Sequence, residues 1–230
     1  MRLIIIDYGS GNLRSAAKAF ERQASNTGHQ VIVTNDPAEL KEASHIVLPG
    51  VGAFADCMSG LNAIAGVRDA LETEIIQKKK PFLGICVGMQ MLFDAGHEHG
   101  THSGLGWIAG EVKRIESRVE SREMNSKQQS FGSNHSTLAT SLKIPHMGWN
   151  TLTLTTQNHP LLAGIKPGDH AYFVHSYHAV CKNAAQVLAT TDYGTPLTAI
   201  VAKNNIMGTQ FHPEKSQETG LRLIENFLKL

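Results

Sequence analysis

Pro81-Phe-Leu-Gly-Ile-Cys-Val-Gly-Met-Gln90 is the stretch on which the fold turns. An apolar run of strand length enters a glycine-flanked turn, Gly84-Ile-Cys86-Val-Gly88, and the residues beyond it, Met89 to Ala95, can start a helix. Toward the N-terminus, three more runs of this kind occur at Leu3 to Ile6, Gln30 to Thr34 and His45 to Leu48, each followed by a loop rich in Gly, Pro or Asn. Between the first two, Leu13, Ala16, Ala17, Phe20 and Ala24 share one helical stripe. A second helix is expected within Ala53 to Lys79, where Gly60 and Gly66 weaken it. Alternation of strand and helix predicts right-handed crossovers and a doubly wound parallel sheet, with sites at the strands' carboxyl ends.

Toward the C-terminus, strand-like runs follow at Trp107 to Ile115, Thr151 to Thr155, Ala171 to Val180, Gln186 to Thr191 and Leu197 to Phe211. Lys203-Asn-Asn-Ile206 reads as a hairpin turn, because Asn tolerates the left-handed backbone such turns need. The fold class is therefore α/β: an open twisted sheet with a parallel core, added antiparallel strands and helices on both faces. Leu221, Ile224, Phe227 and Leu228 form the stripe of a closing helix over Glu218 to Leu230. Ser117 to Ser141 holds seven serines and almost no apolar periodicity, so a mobile surface insertion is expected there. The remainder of the 230 residues, 41% of them hydrophobic, suffices for one domain spanning 1–230.

Lys and Arg number 21 against 20 Asp and Glu, so no basic field exists to hold a nucleic acid or an anionic membrane. The apolar start Leu3 to Ile6 is too short for a signal peptide, and no run approaches the roughly 20 apolar residues of a membrane span. A cytoplasmic location is expected. Cys57, Cys86 and Cys181, odd in number and widely spaced, make no disulfide framework; a cysteine that matters acts as a thiol.

Three elements carry chemistry. Gly84-Ile-Cys86-Val-Gly88 has the strand, sharp turn, helix layout of a nucleophile elbow, with sulfur in place of the serine oxygen. By itself it reads equally as a buried cysteine beside a glycine-rich turn. His212-Pro-Glu214 follows a late strand. Pro213 keeps His212 extended, so Glu214 can face the imidazole and orient it for proton transfer from Cys86. Alone, the tripeptide would be an ordinary polar loop. In Pro49-Gly-Val-Gly-Ala-Phe54, backbone N–H groups near Val51 and Gly52, with that of Val87, can form an oxyanion hole. A phosphate-binding turn is the competing reading, but the Gly-Lys-Ser/Thr ending of a P-loop is missing.

With these elements in hand, Gly-Ile-Cys-Val-Gly-Met-Gln90 together with Phe211-His-Pro-Glu-Lys215 resembles the class I, triad-type glutamine amidotransferases. Asp7-Tyr-Gly-Ser-Gly-Asn-Leu13, Pro145-His-Met-Gly-Trp-Asn150, Val174-His-Ser-Tyr-His178 and His212-Pro-Glu-Lys-Ser-Gln217 narrow the resemblance to the glutaminase subunits of imidazole glycerol phosphate synthase, from histidine biosynthesis. It covers nearly the whole chain apart from Ser117 to Ser141. The resemblance implies Cys86 as nucleophile, His212 as general base then acid, and Glu214 as the group that orients it. It implies Gly52 and Val87 in the oxyanion hole, and Gln90, Glu98, Ser176 and Tyr177 as holders of L-glutamine. It also implies a (β/α)₈-barrel cyclase partner in a heterodimer, faced by Asn12, Trp149 and Lys215, that receives the ammonia. No cofactor and no metal are expected.

Rival readings fail on residues. Gly9-Ser-Gly11 after the first strand suggests a dinucleotide site, but Arg14 holds the third glycine position. His97-Glu-His99-Gly-Thr-His102, with His175 and His178, suggests a metal site, yet no matched ligand pair accompanies it. An inactive binding module would lack the nucleophile or its base, and both are present. A glutaminase serving another ammonia acceptor is the remaining alternative.

Overall fold

The computed structural model describes residues 1–11, 13–117 and 142–230. Leucine and β-branched side chains dominate β1 (Arg2–Ile6), β2 (Gln30–Thr34), β3 (His45–Gly50) and β4 (Phe82–Cys86). Branching at Cβ favours extended backbone, and β3 and β4 are buried throughout, as strands covered on both faces must be. The four pair in parallel in the order β2-β1-β3-β4, with Ile4 opposite both Ile32 and Ile46, and Ile46 opposite Phe82.

From β1 the chain steps one way to β2 through α1 (Leu13–Thr27). From β3 it steps the other way to β4 through α2 (Phe54–Ala63) and α3 (Val67–Leu71). Right-handed crossovers taken in opposite directions put α1 and α2 on opposite faces. The reversal between β1 and β3 opens a crevice at the strands' carboxyl ends.

After one helical turn, α4 (Val87–Gln90), the chain forms β5 (Phe93–Gly96), β6 (His102–Ser103) and β7 (Ile108–Arg114). The later strands are β8 (His146–Thr151), β9 (Thr153–Leu154), β10 (His170–His175), β11 (Tyr177–Cys181), β12 (Val187–Asp192), β13 (Pro196–Lys203) and β14 (Ile206–Thr209). β14 runs parallel to β4 and antiparallel to β13, which completes an eight-stranded sheet ordered β2-β1-β3-β4-β14-β13-β12-β9. The β13–β14 turn falls at the expected asparagines, and Asn204 takes φ +55°. A four-stranded sheet, β11-β7-β5-β6, and the antiparallel ladder β8–β10 stand beside it.

The closing helix α5 (Gln217–Leu228) buries Leu223, Ile224, Phe227 and Leu228. Phe227 meets Phe20 of α1 edge to face at 6.5 Å. Each such side chain contributes roughly 1.5–3 kcal/mol of transfer free energy. Among the described residues, nearly all the buried apolar side chains form one contiguous cluster. No helix among them is long and apolar enough to cross a membrane.

Several expected elements end elsewhere. The helix within 53–79 divides at Gly66, whose φ of +77° cannot continue it, and closes in a π-helical turn over Glu72–Gln77. The helix expected over Met89 to Ala95 stops after one turn. Phe93 pairs with Ile108 instead, and the Asp94 carboxylate accepts the Gly110 N–H at 3.0 Å, so tertiary pairing overrides local propensity. The run Ala171 to Val180 breaks at Ser176, and the strand begun at His146 precedes the run expected from Thr151. The serine-rich segment lies outside the described residues, except Ser117.

The turn Pro213–Lys215 is clamped between α5 and the sheet, and a Cβ on Gly220 would lie 1.9 Å from the Pro213 carbonyl oxygen. Alanine normally improves a helix interior over glycine. Here Gly220→Ala is expected to cost about 2 kcal/mol, a drop in Tm of roughly 4–8 °C measured by thermal melting. A stabilised variant would show that this close approach does not constrain the fold.

Candidate active site

Three neighbouring parallel strands deliver the chemistry to one edge. Pairing of β3 with β4 puts Gly50 opposite Cys86, and pairing of β14 with β4 puts Thr209 opposite Ile85. The loop Val51-Gly52 therefore leaves the sheet beside Cys86 on one side, and Gln210, Phe211 and His212 leave it on the other. Cys86 itself takes φ +55°, a region non-glycine residues avoid, which aims its side chain out of the strand-to-helix corner. That corner exists because Gly88 has no side chain: a Cβ there would lie 1.8 Å from the Leu48 carbonyl oxygen.

Cys86 and His212 border a cavity of about 340 Å³ together with Val51, Gly52, Val87, Gln90, Glu98, Ser176 and Tyr177. The volume is at the small end for ligand pockets and suits a free amino acid. His212 is buried, and its Nδ1 lies 2.9 Å from Glu214 Oε1. That bond leaves Nε2 to face the sulfur. Burial pushes the imidazole pKa down, but hydrogen bonds and charge from Cys86 and Glu214 outweigh it and raise the value to about 10. The geometry thus favours an imidazolium held between sulfur and carboxylate.

Other polar groups fix this constellation. The Gln210 amide donates to Cys86 Sγ at 3.8 Å, and Gln90 Nε2 donates to Gln210 Oε1 and to the Tyr177 carbonyl, each at 3.0 Å. The Val51 N–H donates to Ser10 Oγ at 3.0 Å, so this backbone donor is engaged by a side chain. The Tyr8 hydroxyl donates to the Pro49 carbonyl at 2.7 Å and braces the same loop from beneath. Glu98 reaches the cavity, while its Oε2 accepts the Phe54 N–H at 2.8 Å and ties the loop's far end to the turn between β5 and β6. Val87 opens α4, where backbone N–H groups lack intrahelical partners.

Outside the cavity, Trp149 is 48% exposed and meets the Tyr172 ring edge-on at 5.9 Å, and Lys215 Nζ stands 5.9 Å over the same ring. Trp149 and Lys215 therefore share one surface; Asn12 lies outside the described residues. The histidine tract does not gather ligands. His97 faces Glu111 at 3.4 Å and Thr101 at 3.2 Å, and no cluster of three metal-binding side chains occurs among the described residues.

Sequence reasoning missed Gln210 and Ser10, and it raised His175 only as a metal ligand, whereas the structure places it on the cavity wall. Gln210 precedes His212 by two residues and, across the bend at Gln210 and Phe211, both reach the Cys86 sulfur, so the spacing of two is a signal the sequence does carry. Nothing local marks Ser10, whose partner Val51 is brought to it only by the pairing of β1 with β3.

Residues 4–230 match the family model of class I glutamine amidotransferases. The chain is 52% identical over 231 residues to the imidazole glycerol phosphate synthase subunit HisH of Rhodospirillum rubrum, covering 100% of this chain and 99% of that one. It is 51% identical over 234 residues to the same subunit of Brucella suis, with coverage of 100% and 99%. Among solved structures, a crystal structure of a glutamine amidotransferase superposes with TM-score 0.64 at 16% identity, covering 99% of both chains. The glutaminase domain of Trypanosoma brucei CTPS with bound acivicin gives 0.58 at 13% identity, covering 100% of this chain and 94% of that one. These structures carry the fold, and the full-length relatives carry the assignment: the chain belongs to the class I glutamine amidotransferases and, among them, to the HisH subunits of imidazole glycerol phosphate synthase.

Proposed function

We propose that the chain hydrolyses L-glutamine to L-glutamate and ammonia through Cys86, His212 and Glu214, and delivers the ammonia to a (β/α)₈-barrel cyclase subunit. The observation that carries this reading is the cavity where the strained Cys86 and the paired His212 meet beside a loop of backbone donors. The sulfur of Cys86 attacks the side-chain amide carbon. His212, held by Glu214, gives its proton to the departing amine, and ammonia leaves behind a glutamyl thioester. Water, deprotonated by the now neutral His212, hydrolyses the thioester, and glutamate departs with the thiol restored.

The tetrahedral oxyanion draws on N–H groups of Val87 and of the Val51-Gly52 loop; because Val51 is bonded to Ser10, Gly52 and Val87 are the readier donors. Gln90, Glu98, Ser176 and Tyr177 hold the amino acid. Ammonia released into water takes a proton and loses its lone pair, so a dry route into the partner is required. The exposed Trp149 with Lys215 supports docking at that surface, and Asn12 is assigned to the same contact by the family resemblance alone. One domain over 1–230, working in the cytoplasm on a small molecule without cofactor, metal, nucleic acid or membrane, completes the reading.

The decisive assay measures glutamate release with and without a barrel cyclase and its ribotide substrate. Cys86→Ala should lower turnover on the order of 10⁴-fold or more while folding and partner binding persist, and Cys181→Ser should retain it. Turnover surviving in Cys86→Ala removes the mechanism.

His212 also gives a pH signature. Its folded value, about 10, exceeds the ordinary 6.5, so the stability it contributes is complete below about pH 6.5 and is lost as pH rises through about 10. Glu214→Gln removes one group that raises the value. The alkaline fall of glutamine turnover should move to lower pH, and kcat should drop on the order of 10²-fold or more. An unmoved alkaline limb argues against the orienting role.

For the docking surface, Trp149→Ala should weaken cyclase binding roughly 30-fold by calorimetry, the cost of about 2 kcal/mol typical of a buried aromatic anchor. Unchanged affinity would place the interface elsewhere.

A further inference from the structure

Beside the cavity lie two buried histidines with no part in the proton transfer described above. His175 ends β10 and borders the cavity, and His146 opens β8 directly opposite it in the antiparallel ladder. His146 Nδ1 and His175 Nε2 are 3.1 Å apart, Asn150 Nδ2 lies 3.2 Å from His146 Nε2, and His175 Nδ1 lies 2.9 Å from the Tyr177 carbonyl oxygen. With both rings neutral, one arrangement of protons satisfies every contact. A carbonyl only accepts, so His175 carries its proton on Nδ1 and presents a bare Nε2. His146 must then donate from Nδ1, which leaves its own Nε2 to accept from the Asn150 amide.

Desolvation supports the neutral state, lowering His175 to about 3 and His146 to about 4. The result is a one-way chain, Asn150 to His146 to His175 to the Tyr177 carbonyl. That carbonyl also accepts from Gln90, whose amide bonds Gln210, which in turn reaches the Cys86 sulfur. The His146 ring is further stacked on Phe173 and Tyr193, with centroids 4.8 and 4.1 Å away. Packing and hydrogen bonding at this ring are therefore separable by substitution.

We propose that His146 and His175 are positioning residues for glutamine hydrolysis, fixing the Ser176–Tyr177 segment against the cavity through this directed hydrogen-bond chain. The inference rests on the glutaminase reading above. Neither ring touches the reacting atoms in this role, and their effect is on how well glutamine is held.

Steady-state glutamine hydrolysis by the complex with the cyclase subunit tests it, with KM and kcat measured separately. His146→Phe keeps the stack but loses both hydrogen bonds and leaves His175 Nε2 without its donor. KM should rise about tenfold with kcat within about threefold of wild type. His146→Asn keeps a donor near the Nδ1 position while losing the stack, and its KM should stay within about threefold. A packing role predicts the reverse order, so an Asn variant worse than the Phe variant overturns the proposal. Asn150 is only partly buried, and Asn150→Ala removes the first donor without opening the core, so it serves where His146→Phe fails to fold. Its KM should rise about threefold with melting unchanged, and a wild-type KM there also overturns the proposal. Absence of glutamine turnover in the wild-type complex would instead refute the glutaminase reading and this inference with it.

Discussion

The arrangement depends on the parallel pairing of β14 with β4. Cys86 and His212 are far apart in sequence, and no local preference brings them together. What does is a ladder in which Ile206 to Thr209 lie opposite Phe82 to Ile85, with β3 on the other side of β4. Parallel strands end at the same edge, so whatever follows each strand emerges side by side. The antiparallel hairpin from β13 inserts β14 in the required direction, and the turn at Asn204 makes that hairpin possible. A slip of one residue in this register would turn the side chains of β14 to the opposite face and misplace the chain leading to His212.

Given that edge, electrostatics assigns the roles. Two buried histidines border the cavity, and their surroundings drive them in opposite directions. His212 is flanked by a sulfur and a carboxylate, and stays protonated to about pH 10 despite burial. His175 is desolvated, has both nitrogens committed to a carbonyl and another imidazole, and falls to about 3. Only His212 keeps a nitrogen facing Cys86. In the proposed mechanism the same residue type would serve as proton carrier in one place and as a positioning group on another part of the cavity wall, and the distinction lies in partners rather than sequence.

This explains what was readable beforehand. The first four strands and α1 were legible within a residue or two because their signal is local: β-branched runs, glycine-rich turns and one apolar stripe. Cys86 with its flanking glycines could be read for the same reason; His212 and Glu214 do meet, but across a tight turn over Pro213–Lys215 and not along the extended run expected of them. Elements decided by distant pairing were misread. Phe93 leaves the expected helix because Ile108 is available to pair with it, and β8 begins among His, Gly and Asn residues that lack strand propensity. The polar groups fixing the site, Ser10 on Val51 and Gln210 on Cys86, join segments distant in the chain, so their partners follow only from the assembled sheet.

The ladder of β8 and β10 shows how one segment can serve two surfaces. Side chains alternate along an extended strand, so Met147 and Trp149, 63% and 48% exposed, point away from the molecule while His146 and Asn150 point inward. Trp149 sits opposite Tyr172, and His146 sits opposite His175, in a single register. A partner pressing on the outer face would therefore load the same backbone that sets the inner hydrogen bonds. Under the proposed docking, contact on one side and geometry of the cavity wall on the other would be two faces of one strand pair, a short physical route to the position of Ser176 and Tyr177.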